Sequence, residues 1–382
     1  MKVKYLNFIE QWREEKRQLL PVLLNVMDSG QYVGIRGKEI SRFEKRVSKE
    51  CKKKYAVALN SGTDSLTFAL HSVGVKRGDE VITPANSYVA STGSIVHLGA
   101  KPVFVDVLPD QNIDPKEIQK KITKKTKAIM PVHLTGRSCQ MDEIIKISKK
   151  YNIAVVEDCA QAYGSKYKNK PCGSWGDIGC FSTHPLKNLN GMGDGGFVVT
   201  NSFKIADRIR KARNHGLKNR DEMEFFGFVS RMDNIQAAIL NFRLGRISNI
   251  IRKRRANANY YMKKLNKKYV FFPPEKKYEF NTYHTFIIQV PQRDKLKKYL
   301  EKKNISTYVH YPIPIHKQKP VLRMNLGKQY LPVTELQSKQ ILSLPINHNL
   351  KKSHLDYVIK AINRFFSKWK NYTKIYIKKF TR

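Results

Sequence analysis

YAVALNSGTDSLTFALHSVG, residues 55–74, frames the fold. Its first six residues (55–60) form an apolar run of the kind that makes a strand buried on both faces. NSGTDS (60–65) is a turn of small and capping residues, and TDSLTFALHSVG (63–74) reads as a helix. The same alternation continues along the chain. EVITP (80–84), SYVASTGSIVHLG (87–99) and KPVFVDV (101–107) repeat strand, helix and strand. KAIMPVHL (127–134), QMDEIIKISKKYN (140–152) and IAVVED (153–158) repeat it again, and GDIGCFST (176–183) and GGFVVTN (195–201) add two strands. This order predicts an α/β fold, a large doubly wound and mostly parallel sheet with helices on both faces. Ligands in such folds collect at the carboxyl ends of the strands.

The texture changes near residue 245. A long basic helix, IIRKRRANANYYMKKLNKKY (250–269), leads to the loop FFPPEKKYEF. Then come a predicted strand (TYHTFIIQV, 282–290), a helix (RDKLKKYLEKKN, 293–304), a strand (STYVHYPIPIH, 306–316) and a last helix (HLDYVIKAINRFFSKW, 354–369). The predicted division is therefore a large α/β domain with its N-terminal arm over 1–245. Residues 246–382 hold the linking helix, a small α+β domain and the basic tail KNYTKIYIKKFTR, read as solvated. No internal repeat is visible.

At 382 residues, 41% hydrophobic and 10% aromatic, the chain suits a folded protein with two cores. No segment approaches the roughly 20 apolar residues of a membrane-spanning helix. The opening MKVKYLNFIEQWREEK has no apolar core and does not read as a signal peptide, so a cytoplasmic protein is expected. Cys51, Cys139, Cys159, Cys172 and Cys180 form no CxxC pair; reduced thiols are expected, with no disulfide framework and no metal. The net charge of +41 admits a nucleic-acid or anionic-membrane binder. Its lysines are dispersed, however, as compositional drift would leave them, and no helix-turn-helix is apparent, so no specific nucleic-acid partner is expected.

Three motifs sit at predicted strand ends. NSGTDS offers backbone N–H groups and a helix dipole to an anion, with Gly62 allowing close approach and Thr63 adding a hydroxyl; an ordinary helix N-cap has the same residues. VVEDCAQA (155–162) ends a strand in two acids. Asp158 suits a protonated ring nitrogen, while Glu157 points to the other side of the strand. FSTHPLKNLNGMGDGG (181–196) places Lys187 five residues after Ser182. A desolvated lysine there has a lowered pKa and can form a Schiff base. An anion cradle, a buried carboxylate and a strand-end lysine are what pyridoxal 5'-phosphate requires.

With these residues in place, the chain resembles the sugar aminotransferases of the DegT/DnrJ/EryC1/StrS family, fold-type-I pyridoxal-phosphate enzymes. The resemblance runs from GQYVGIRGKEISRFE to LSLPINHNL. It includes DEVITPANSYVAS, GAKPVFVDV, RNHG, SRMDNIQAAIL and VHYPIPIH. It implies that Lys187 carries the cofactor and moves the proton, that Asp158 pairs with the pyridine nitrogen, and that Gln161 lies against the ring. Gly62, Thr63 and Ser182 then hold the phosphate, and Tyr88 covers the cofactor face. His310 falls where the family's loop approaches the substrate. His184 and His215 read as structural.

The resemblance further implies a homodimer with each active site at the interface. The amino donor is then L-glutamate and the acceptor a nucleotide-linked keto-deoxysugar. HPLKNLN and GDGG resemble the members that aminate C3 of dTDP-3-keto-6-deoxyhexoses; 4-keto amination is the alternative. Members that dehydrate sugars replace the lysine with histidine, which Lys187 argues against. A non-catalytic basic DNA-binding regulator is the rival from another class, and it has no use for Asp158 and Lys187 together. One departure stands out. The family's G-Y/F-N-S-R motif carries an asparagine that reaches the neighbouring subunit's phosphate, and here GFVSR puts Val229 in that place. Ser230 is then the nearby candidate substitute.

Overall fold

The computed structural model describes residues 1–33, 37–327 and 329–367. The basic tail at 370–382 lies outside them. The chain opens with helices α1 (Phe8–Asp28) and α2 (Lys38–Glu50). It then alternates β1 (Tyr55–Leu59), α3 (Gly62–Ser72), β2 (Glu80–Pro84), α4 (Val89–His97) and β3 (Lys101–Val105). Next come α5 (Pro115–Lys121), β4 (Thr126–Ile129), α6 (Met141–Tyr151) and β5 (Ala154–Asp158). The short hairpin β6 (Lys166–Tyr167) and β7 (Lys170–Pro171) precedes β8 (Ile178–Ser182) and β9 (Gly196–Thr200). Helices α7 (Phe203–Ala212), α8 (Asn234–Leu244) and α9 (Ile247–Lys264) follow.

Seven strands form the main sheet in the order β1-β9-β8-β5-β4-β2-β3. Only β9 runs antiparallel to its neighbours, so β1, β8 and β5 share a direction and their carboxyl ends lie on one edge. The strands are apolar on both faces because both are covered. Phe43, Phe181, Phe197 and Leu240 pack on one side, and Leu66, Leu70, Val156 and Val198 on the other. This is the doubly wound architecture expected from the apolar runs.

The C-terminal part contains β10 (Glu279–Phe280), β11 (Phe286–Gln289), α10 (Arg293–Lys302), α11 (Lys319–Arg323), α12 (Pro332–Gln340), β12 (Ile341–Leu344) and α13 (Lys352–Ser367). Here one expectation fails. STYVHYPIPIH is not a strand: it makes a single bridge, Tyr308 to Ser343, and ends in a 3-10 turn at Ile315–Lys317. Pro312 and Pro314 have no N–H to give to a ladder. The strand paired with β11 is β12 instead. The N-terminal arm also crosses over. Val3 bridges to Ile305 and joins the core built by Tyr261, Phe286 and Leu300, while Asn347 Nδ2 donates to the carbonyls of Lys4 and Tyr5.

Candidate active site

The strand ends open into a cavity of about 790 Å³, and all eight residues predicted for the site line it: Gly62, Thr63, Tyr88, Asp158, Gln161, Ser182, Lys187 and His310. Sheet order brings them together. Gly196 of β9 stands opposite Leu59 of β1 and Ser182 of β8, and with no side chain there the two parallel strand ends close over it. A methyl group on Gly196 would lie 2.3 Å from Ser61 O, and one on Gly62 would lie 2.6 Å from Ser182 Cβ.

The turn after β1 is a helix N-terminus with donors to spare. Ser61 caps α3 by accepting the Asp64 N–H at 3.0 Å, and Ser61 O takes the Ser65 N–H. Among the described residues nothing accepts from the Gly62 and Thr63 amides, which therefore suit an anion. Ser182 Oγ accepts the His184 N–H at 3.3 Å and keeps its own hydrogen to donate. These donors fit a phosphate.

Asp158 ends β5. Its Oδ2 accepts from Ser91 Oγ at 2.8 Å and its Oδ1 from the Ala160 amide at 3.1 Å. Burial pushes its pKa up, against the pull of those donors and of Lys187. A carboxylate so placed is stabilised by a nearby cation such as a pyridinium. Lys187 follows β8 on a turn closed by its own N–H to His184 O. Burial lowers its pKa, and Asp158 partly offsets this. Nζ forms no salt bridge or hydrogen bond among the described residues, so the amine is free to attack a carbonyl.

Gln161 Oε1 accepts the Thr135 N–H at 2.8 Å, and Nε2 donates to the Tyr311 hydroxyl at 3.4 Å. Tyr88, at the start of α4, is 56% exposed, and its ring lies 5.9 Å from that of Tyr311. His310 Nδ1 pairs with Ser343 Oγ at 2.7 Å, and burial, then Lys187, pushes its pKa down to about 4. His184 Nδ1 accepts the Leu186 N–H and shapes the lysine turn, although the residue also lines the cavity. His215 stands away from the cavity with φ +59°, its N–H bonded to Phe228 O, as a loop-shaping residue would.

Glu157 lies on the other side of β5, as the strand's alternation predicts. Its Oε1 accepts the Trp175 and Gly176 amides, and its Oε2 the Gly173 amide and His133 Nε2. His133, Glu157 and Cys159 bring ligand-type atoms within 4.8 Å of one another, but those four donors already fill the carboxylate as a clamp on the loop before β8. All five cysteines are buried and unpaired.

Val229 is 52% exposed, with its backbone bridged to Asn214. Ser230 does not take over the asparagine's place. It is fully buried, and its Oγ is engaged with Asn60 Oδ1 at 3.1 Å.

Several contributors were missed by the sequence reading, Ser91 and Tyr311 among them. Tyr5 and His284 line the cavity, and buried Arg254 braces its wall. Arg254 was legible: it lies on the stripe Ile247, Ile250, Ile251, Ala258 and Tyr261 of α9, where a charge on the apolar face needs a partner. Tyr5 carries no local signal; it reaches the cavity only through the arm's crossover.

The sequence profile of the DegT/DnrJ/EryC1/StrS aminotransferase family matches residues 13–363. A transaminase of Aneurinibacillus thermoaerophilus, named for dTDP-3-amino-3,6-dideoxy-alpha-D-galactopyranose, is 39% identical over 353 residues, covering 92% of this chain and 96% of that protein. A Geobacillus stearothermophilus protein named as a pleiotropic regulatory protein is 36% identical, covering 96% and 99%. The solved structure of NtdA from Bacillus subtilis with bound cofactor PMP superposes with a TM-score of 0.89 at 31% identity, covering 96% of this chain and 85% of that one.

Proposed function

The chain belongs to the DegT/DnrJ/EryC1/StrS aminotransferase family, and from that premise we propose that it moves an amino group from L-glutamate to C3 of a dTDP-3-keto-6-deoxyhexose. It is a pyridoxal-phosphate-dependent nucleotide-sugar aminotransferase. The observation that carries the assignment of roles is the shared cavity, which brings together a buried lysine amine without a hydrogen-bond partner among the described residues, a buried carboxylate and an anion cradle at three parallel strand ends. When bound, pyridoxal phosphate supplies an aldehyde carbon and a ring that accepts an electron pair.

The chain's own residues do the rest. The Gly62 and Thr63 amides and Ser182 Oγ hold the phosphate. Asp158 keeps a proton on the ring nitrogen. Tyr88 covers the ring and Gln161 borders it. Lys187, made easier to deprotonate by burial, anchors the cofactor and afterwards carries the proton at Nζ. His310 meets the sugar. The homodimer belongs to the same reading: Met223, Phe226, Phe228 and Val229 expose an apolar loop tip, Phe226 at 89%, of the kind a second copy covers. No described helix is long and apolar enough to cross a membrane.

The test is a visible spectrum with pyridoxal phosphate, borohydride reduction and peptide mapping, followed by L-glutamate and the keto sugar. A phosphopyridoxyl mass on Lys187, bleaching by glutamate and a 3-amino product are expected. A 4-amino product would select the 4-keto alternative. Absence of band and adduct would return attention to the basic regulator.

A further inference from the structure

His284 stands on the cavity wall with Lys187 and His310, and the backbone around it is pinned on every side. Thr282 N–H donates to Gly136 O at 3.0 Å, and Asn188 Nδ2, next to Lys187 in the chain, donates to Thr282 O at 3.2 Å. The buried Arg254 guanidinium donates from Nη1 to Tyr283 O at 3.0 Å and to His284 O at 3.1 Å. Tyr283 has φ +48°, a left-handed conformation that bulky residues seldom adopt. The chain thus spends a buried arginine and a strained tyrosine on the turn that presents His284.

The two ring nitrogens differ. Nδ1 is buried and has no partner among the described residues. Nε2 makes no hydrogen bond among the described residues and is not buried, so it opens on the cavity. Burial, then Lys187, Arg254 and His310, keeps the imidazole neutral by holding its pKa well below the ordinary value. A neutral ring carries one hydrogen. An orphaned lone pair is tolerated better than an orphaned N–H, which places the hydrogen on Nε2.

We propose that His284 is a substrate-binding residue whose Nε2–H donates to an oxygen of the sugar next to the reacting carbon. The proposal rests on the nucleotide-sugar reading above. An uncharged donor beside Lys187 suits a hydroxyl or keto oxygen. A diphosphate or a carboxylate calls for a cation, and burial together with the surrounding charges disfavours the protonated ring.

The test uses the cofactor-loaded protein. It is titrated with dTDP-3-amino-3,6-dideoxygalactose, followed by loss of the visible band, and with dTDP alone by calorimetry. His284→Asn sets its amide nitrogen near the Nδ1 position, and His284→Gln sets its own near Nε2. His284→Asn is expected to weaken the amino sugar about 3- to 10-fold, the span of one hydrogen bond, with dTDP unchanged. His284→Gln is expected to restore most of that loss. The proposal is overturned by an unchanged sugar affinity, by equal weakening of dTDP, by parallel loss of the cofactor band or melting temperature, or by failure of His284→Gln to rescue. A wild-type protein that binds dTDP but does not respond to the amino sugar overturns the substrate reading itself, and the proposal with it.

Discussion

Asp158 and Lys187 face one cavity, and each restrains what burial does to the other. Burial raises the Asp158 pKa and lowers that of Lys187; the charge of each pulls its neighbour back. The net result is an acid harder to ionise, and an amine easier to deprotonate, than their exposed counterparts.

Asp158→Asn removes that restraint on the lysine. In the cofactor-free protein, Lys187 should become reactive towards an amine-modifying reagent at lower pH than in the wild type. With cofactor, turnover should fall about 10²- to 10³-fold, since the ring nitrogen loses its acid. A reactivity profile that does not move would show that the two groups are uncoupled.

Gly62→Ala tests the cradle. The added methyl lies 2.6 Å from Ser182 Cβ, so the turn after β1 must move off β8. About 1–3 kcal/mol of stability should be lost, readable by denaturant unfolding. Cofactor should also dissociate faster, because the free amides move with the turn. A variant with normal retention would remove Gly62 from the phosphate site.

His310 gives the stability a pH dependence with a fixed sign. Its folded pKa, about 4, lies below the ordinary 6.5, so the unfolded chain binds the extra proton. Its contribution is complete above pH 6.5 and is lost as pH falls through 4. Melting temperature should drop across that window, and His310→Gln should flatten the slope. It should not abolish the slope, because burial and nearby arginines push His348 the same way, to about 3. Calorimetry at stepped pH reads both.

Val229→Asn restores the donor found in the family's motif. The side chain points outward, with Ser230 turned inward to Asn60, so the new amide is free to meet a second copy. Dialysis should remove cofactor several-fold more slowly than from the wild type, an effect of about one hydrogen bond. Equal rates in a protein shown to be dimeric by light scattering would mean that position 229 does not reach the neighbour's site.

The large sheet was readable because parallel strands covered on both faces are written as unbroken apolar runs, and YAVAL and AVVED have almost no other use. The site was readable for a related reason: Gly62, Asp158 and Lys187 sit where those runs stop. The C-terminal part was harder. STYVHYPIPIH has strand-forming residues but two prolines that deny it a ladder, whereas ILSL follows α12 without any turn residue to announce it. His284 was hidden because a kink at Tyr283 interrupts what looks like a continuous strand, and a change of backbone hand at a tyrosine leaves no trace in composition.

The position of β9 also orders events in time. The cradle joins the ends of β1 and β8, and the strand between them is the last of the sheet to be synthesised. Gly196, inserted between Leu59 and Ser182, completes the hold on the two halves of the phosphate site, which α3 also ties to β8 through Ser65 Oγ and Phe181 O. Closing so long a loop is a late and slow step. Recovery of cofactor binding during refolding would therefore mark completion of the sheet and lag behind the return of helical signal.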